Sequence, residues 1–180
     1  GNWSYFFSPM VRFEENGQNF LFSHSADGNK IKLSSLTSEG EGQVFIDDKW
    51  HWYYNSQVPF VENGKNYIFC YSNRGNRWFI SELSTKWNGQ SELRCGNWAR
   101  YYPSVTAFVH LGKPIAYFHS EKDRRWFMWE LSTDRKTDKD LNNGNLDSFY
   151  DTVTSCKENQ ACYILAQSSK TKEFFICPVL

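Results

Sequence analysis

Two groups of residues in this chain combine flat aromatic faces with planar charged groups at one fixed spacing. Trp50 and Tyr53 recur 48 residues later as Trp98 and Tyr101, and Arg77 and Glu82 recur as Arg125 and Glu130. The C–H face of a sugar ring stacks on Trp or Tyr, and its hydroxyls exchange hydrogen bonds with guanidinium and carboxylate groups. These eight side chains are therefore candidate ligand-binding residues. Trp87 joins them for a different reason. It stands in the polar stretch STKWNGQ, where a large aromatic gains little from folding, and so points to contact with a partner. A tryptophan repeated once per unit has a competing use, which is packing one unit against the next. Trp78 and Trp126 alternate with inward-facing residues and read as core.

Bond-breaking chemistry has less support. The recurring first-strand positions hold Phe, Val and Met, and no carboxylate recurs there. The carboxylate pair of a glycoside hydrolase must converge on one point, whereas repeat-related residues point to separate places. No nucleophile–base pair stands out either. His24, Tyr71, His119 and Gln167 share a column that reads as a polar strand face rather than a metal site. No CxxC spacing occurs and His number only four, a pattern that does not encode a structural zinc site. The expectation is a binding protein and not an enzyme, with no catalytic residue, metal ligand or cofactor.

The elements that must position these residues come from an internal repeat. Four segments stack without a gap, covering 1–47, 48–95, 96–143 and 144–180 of one domain. Their openings read GNW, DKW, GNW and GNL, so the Trp column is Trp3, Trp50, Trp98 and then Leu146. Ser25, Ser72, Ser120 and Ser168 are identical in all copies, and Leu36, Leu83, Leu131 and Val179 close the pattern. NFLFSHS, NYIFCYS, PIAYFHS and CYILAQS alternate at period two, as do KIKLSSL, RWFISEL, RWFMWEL and EFFICPV. VRFEENG and VPFVENG are short strands running into Asn-Gly, a hairpin signal. A fourth strand is expected near VFIDDKWHWYY and its equivalents.

Four strands in about 48 residues is the blade of a β-propeller. The predicted fold is all-β, a four-bladed β-propeller. The last copy ends after its third strand, so residues 1–7 are expected to supply the fourth and close the ring.

Phe60, Gly64, Tyr67, Phe69 and Trp78, with Trp50 ten residues ahead of Phe60, give a layout that resembles hemopexin-like repeats. The chain carries Val58-Pro59 and Thr106-Ala107 where those repeats carry Asp-Ala. Its repeat length and tryptophan content are also similar to those of small lectin propellers. The lectin resemblance implies several equivalent sugar sites acting together. The hemopexin resemblance implies a small molecule or ion in a central channel.

Composition narrows the partner. Lys plus Arg and Asp plus Glu are 20 each, so the basic excess of a nucleic-acid binder is missing. No apolar run is long enough to span a membrane as a helix. The expected partners are glycans or glycoproteins, in a secreted or cell-surface setting. The alternative is a protein-interaction propeller of a secreted or toxin-associated protein. Of five cysteines, Cys156 and Cys162 flank the loop KENQA and are candidates for a cross-strand disulfide, as are Cys70 and Cys95 with less support.

Overall fold

A computed structural model describes residues 7, 9–25, 27–50, 53–72, 74–86, 92–99, 101–111, 113–134, 139–159 and 161–179. Among the described residues every regular element is a strand apart from one short 3-10 turn at Asp27–Asn29, and no helix is long and apolar enough to cross a membrane. The strands form four antiparallel meanders, one per repeat, as the sequence predicts for four blades. They fall into two compact units, Gly1–Asn97 and Trp98–Leu180.

The first unit holds two sheets. Sheet 1 is β1 (Met10–Glu15), β2 (Gln18–His24), β3 (Lys30–Thr37) and β4 (Gly40–Lys49). Sheet 2 is β5 (Ser56–Glu62), β6 (Lys65–Tyr71), β7 (Arg77–Glu82) and β8 (Glu92–Asn97). The second unit repeats the plan. Sheet 3 is β9 (Ser104–His110), β10 (Lys113–His119), β11 (Arg125–Glu130) and β12 (Lys139–Asn145), and sheet 4 is β13 (Thr152–Glu158), β14 (Ala161–Gln167) and β15 (Phe174–Pro178). The expected closing strand at residues 1–7 falls outside the described residues, apart from the buried Phe7.

Turn chemistry explains where the strands reverse. Asn16-Gly17 and Asn63-Gly64 both have positive φ at each residue, the geometry of a two-residue hairpin turn. The second reversal in each sheet uses the invariant serine. The backbone N–H groups of Ser25, Ser72, Ser120 and Ser168 each donate to the carbonyl five residues on, at 2.8–2.9 Å. The hydroxyls of Ser25 and Ser72 accept the N–H groups of Asp27 and Arg74, and that of Ser168 accepts Thr171. The serine is buried and ties its own turn, so its recurrence is structural.

The fourth strand lies earlier than the sequence suggested. β4 stops at Lys49, so Trp50 stands in the connection to the next sheet and not in a strand. Freed from the pleat, its indole enters the joint between sheets 1 and 2. It lies 5.4 Å from Phe22 and 4.9 Å from His24 on one side, and 5.4 Å from Tyr54 and 5.3 Å from Phe79 on the other. Burial of one such indole contributes on the order of 5 kcal/mol of gross transfer free energy. In the second unit Ile115, Tyr117 and Met128 of sheet 3 pack against Cys162, Ile164 and Val179 of the sheet 4 segment.

The glycine that opens the second and third GN motifs has a packing reason. Gly96 pairs with Trp78 and Gly144 with Trp126, and a Cβ at either would come within 3.0 Å of the indole. The ring lies across the bare backbone, so the reading of Trp78 and Trp126 as packing residues agrees with the structure.

The disulfide expectation is corrected. All five cysteines are free. Cys156 faces Tyr163 and Cys162 faces Lys157 across the β13–β14 ladder, so the two are not opposite each other. Phe79 stands between Cys70 and Cys95, which are two strands apart.

Candidate functional site

The repeat-related charged residues occupy opposite ends of their strands. Arg77 begins β7 and Glu82 ends it, and Arg125 and Glu130 do the same in β11. Five extended residues separate each pair by about 17 Å, so neither Arg shares a site with its Glu. Glu82 instead pairs with Lys65 at 3.5 Å, and Glu130 with Lys113 at 2.9 Å. Trp50 is fully engaged in the joint described above. Tyr53 is half-buried, with its ring 5.1 Å from His24, and Tyr101 is exposed. Trp87 lies outside the described residues.

Trp98 and Arg125 do come together. They line one groove of about 370 Å³ on sheet 3, with Tyr102, Phe127, Asp140 and Asn143. Arg125 and Phe127 are two apart on β11 and share a face. Asn143 stands directly opposite Phe127 on β12, and a bulge after Met128 brings Asp140 opposite Trp129. The aromatic floor is tightly built. Trp98 meets Phe118 at 4.7 Å, Phe127 at 5.4 Å and Tyr102 at 5.5 Å, all edge-on. The groove thus has half-buried ring faces with a guanidinium, a carboxylate and an amide along one side.

The same column in sheet 2 is closed. There Arg77 Nη2 donates to both carboxylate oxygens of Glu92, at 2.9 and 3.0 Å. The corresponding aromatics Trp50, Tyr54, Trp78 and Phe79 are all buried. Asp140 replaces Glu92 and is one methylene shorter. Among the described residues no carboxylate pairs with Arg125, which stays exposed.

The histidine column is corrected too. His24 and His119 are wholly buried, not part of a polar face. Aromatic residues from the connection to the next sheet cover each one: Tyr53 and Tyr54 for His24, Phe149 and Tyr150 for His119. Burial lowers the pKa of His24 to about 4. Burial also lowers that of His119, opposed by the nearby carbonyls of Tyr150 and Arg124. The amide nitrogen of Gln57 is 3.1 Å from His24 Nδ1. Among the described residues no cluster of His, Cys, Asp or Glu is arranged to hold a metal ion.

Tyr102 stands with Tyr101 in the aromatic column that repeats Tyr53 and Tyr54, so the sequence itself offers it as a stacking residue. Phe127, Asp140 and Asn143 were missed by sequence reasoning. Asp140 and Asn143 lie in KDLNNGN, which has no alternating apolar pattern. The available signal was the column shared by Glu92 and Asp140.

No family model matches the sequence, and no curated relative does, so the likeness to hemopexin-like repeats and lectin propellers goes no further than its pattern. Solved structures do match. An exo-β-1,3-galactanase from Phanerochaete chrysosporium, determined with β-1,3-galactotriose, has a TM-score of 0.62 at 11% identity over 95% of this chain. The match covers 45% of the galactanase, so this chain corresponds to less than half of that protein. A GH43_1 enzyme from Xanthomonas citri has a TM-score of 0.57 at 12% identity, covering 97% of this chain and 69% of that one. At such identities the likeness shows the β-propeller fold alone. It nevertheless corrects the expectation that the chain is not an enzyme, because structures of this fold include carbohydrate-cleaving enzymes. The physical reason is that a catalytic pair must converge at one place and need not recur around a repeat. A search for recurring carboxylates is blind to such an asymmetric site.

Proposed function

We propose that the chain recognises carbohydrate, and that the groove on sheet 3 is where it does so. The observation that carries this reading is the pairing of an aromatic floor, Trp98, Tyr102 and Phe127, with Arg125, Asp140 and Asn143 along one wall. Rings stack on the C–H face of a sugar, while the guanidinium, carboxylate and amide together can donate to and accept from its hydroxyls. The volume falls within the range of small-ligand sites. The fold is shared with a galactanase determined with a bound oligosaccharide, which makes β-1,3-galacto-oligosaccharides the first ligands to try. The counterpart in sheet 2 is not an equivalent site, because the Arg77–Glu92 pair closes it.

Calorimetry against a panel of oligosaccharides tests the reading, with a glycan array to widen it. Binding should be lost or weakened at least tenfold in Arg125→Ala and Asp140→Ala, which corresponds to about 1.4 kcal/mol for the lost charge-assisted hydrogen bonds. Release of reducing ends, followed in the same samples, reports whether bound sugar is also cleaved. No binding across the panel, or equal binding by both variants, would sink the proposal.

A further inference from the structure

Trp50 and Leu146 occupy the same position of the repeat, and the joints they enter differ accordingly. In the first unit the Trp50 indole fills the space between its two sheets, against Phe22 and Phe79 and within the core that includes Leu33 and Ile68. The counterparts of those four residues in the second unit are Tyr117, Phe175, Met128 and Ile164. All four line a cavity of about 270 Å³, together with Leu146 and Cys177. Where the repeat places an indole in one joint, the other joint has open space.

We propose that this cavity is a binding site for a small planar aromatic molecule of about the size of indole. The shape argument comes from the sister joint, where matching walls already hold an indole. The chemistry agrees. The wall side chains are aromatic, aliphatic or sulfur-bearing, and none is charged. Tyr117 stacks on Trp126 with centroids 5.9 Å apart and planes 25° apart, giving flat surfaces. The Tyr117 hydroxyl is buried without a hydrogen-bond partner among the described residues, so a ligand with one polar atom on its ring would complete it. An apolar cavity of about 150 Å³ already suffices for benzene, so this one has room for a fused bicyclic ring. The cavity is a different space from the carbohydrate groove, although Trp126 borders both, and the proposed binding there does not rest on the groove's function.

Cys177 serves as a reporter, since its half-buried thiol lies at the cavity wall. Alkylation of the native protein is followed peptide by peptide, with and without saturating indole. Indole should slow modification of Cys177 several-fold and leave the exposed Cys95 and Cys156 unchanged. It should also raise the melting temperature of the wild type, as any ligand specific to the folded state does. Leu146→Trp fills the seat, and indole should then give no thermal shift. Unchanged Cys177 labelling at saturating indole overturns the proposal without any variant. An equal thermal shift in Leu146→Trp overturns it as well.

Discussion

Mild acid should destabilise this protein through His24. The ring is wholly buried at the end of β2, flanked by Trp50, Tyr53 and Tyr54. Burial lowers its pKa from 6.5 to about 4. The unfolded chain therefore takes up a proton near pH 6.5, and the folded chain only near pH 4. Between those values the unfolded state binds more protons, so stability is complete above about pH 6.5 and falls as the pH drops. Below about pH 4 both states are protonated and the loss stays constant. A difference of about 2.5 units at 1.36 kcal/mol each gives a full effect of about 3 kcal/mol, of which about 2 kcal/mol is already lost at pH 5. His119 adds to the loss in the same direction, since burial lowers its pKa too. The carboxylates act lower on the scale. Asp151 and Glu173 are held below their ordinary range by the Ser169 N–H and the Ser148 hydroxyl respectively. Urea unfolding between pH 7.5 and 4.5 separates the contributions when wild type is compared with His24→Gln, the residue found at this column in the fourth copy. The variant should lose less stability on acidification, by about 2 kcal/mol at pH 5. Parallel stability curves for the two proteins would refute the assignment to His24.

Four further substitutions probe the elements that hold the sheets. Gly96→Ala puts a methyl 3.0 Å from the Trp78 indole and should cost about 1–3 kcal/mol, read as a lower melting temperature, with a smaller cost for Gly144→Ala because Trp126 is only half-buried. Ser72→Ala removes the acceptor of the Arg74 N–H at 3.1 Å and should cost about 1 kcal/mol in urea unfolding. Leu111→Asn should stabilise by up to about 1 kcal/mol, because Leu111 is 84% exposed with φ +50°, a conformation that Asn adopts at 16, 63 and 159.

The fold was legible because the same constraints act four times. A strand face buried on one side demands alternation, a two-residue reversal demands residues that tolerate positive φ, and the second reversal demands a hydroxyl. Each demand therefore left a column. The position before β3 is a further case: Asn29, Asn76, Arg124 and Lys172 all have positive φ, and the backbone geometry recurs although the residue type drifts. The fourth strand was legible only in part. β12 reads KDLNNGN and is held by backbone pairing with β11, which needs no apolar side chain on the exposed face. β4 was displaced because Trp50 looks like a strand residue in composition yet acts as a wedge in a connection. The candidate site was less legible still. Column agreement reveals equivalence and says nothing of proximity, so Arg125 and Glu130 looked like partners although a whole strand separates them. Asp140 and Asn143 gave no periodic signal, and only the folded register brings them beside Phe127 and Arg125.

The repeat and the ligand space are complementary. In the first unit side chains fill these spaces, as Trp50 does between sheets 1 and 2 and as Arg77 with Glu92 does across sheet 2. Where a copy departs by one residue, space opens. Replacement of the Trp at position 146 by Leu accompanies an apolar cavity, and replacement of Glu by Asp at position 140 accompanies a polar groove. Close packing makes this a physical consequence, since walls fixed by the rest of the repeat cannot collapse fully around a smaller side chain. Trp126 lines both spaces, with its ring braced against Tyr117 and Gly144. One indole thus borders an apolar seat and a polar groove. A ligand that tilts it in one space must alter the wall of the other, so occupancy of the cavity by indole should shift the affinity of the groove for sugar. By linkage, sugar should shift the affinity for indole by the same factor.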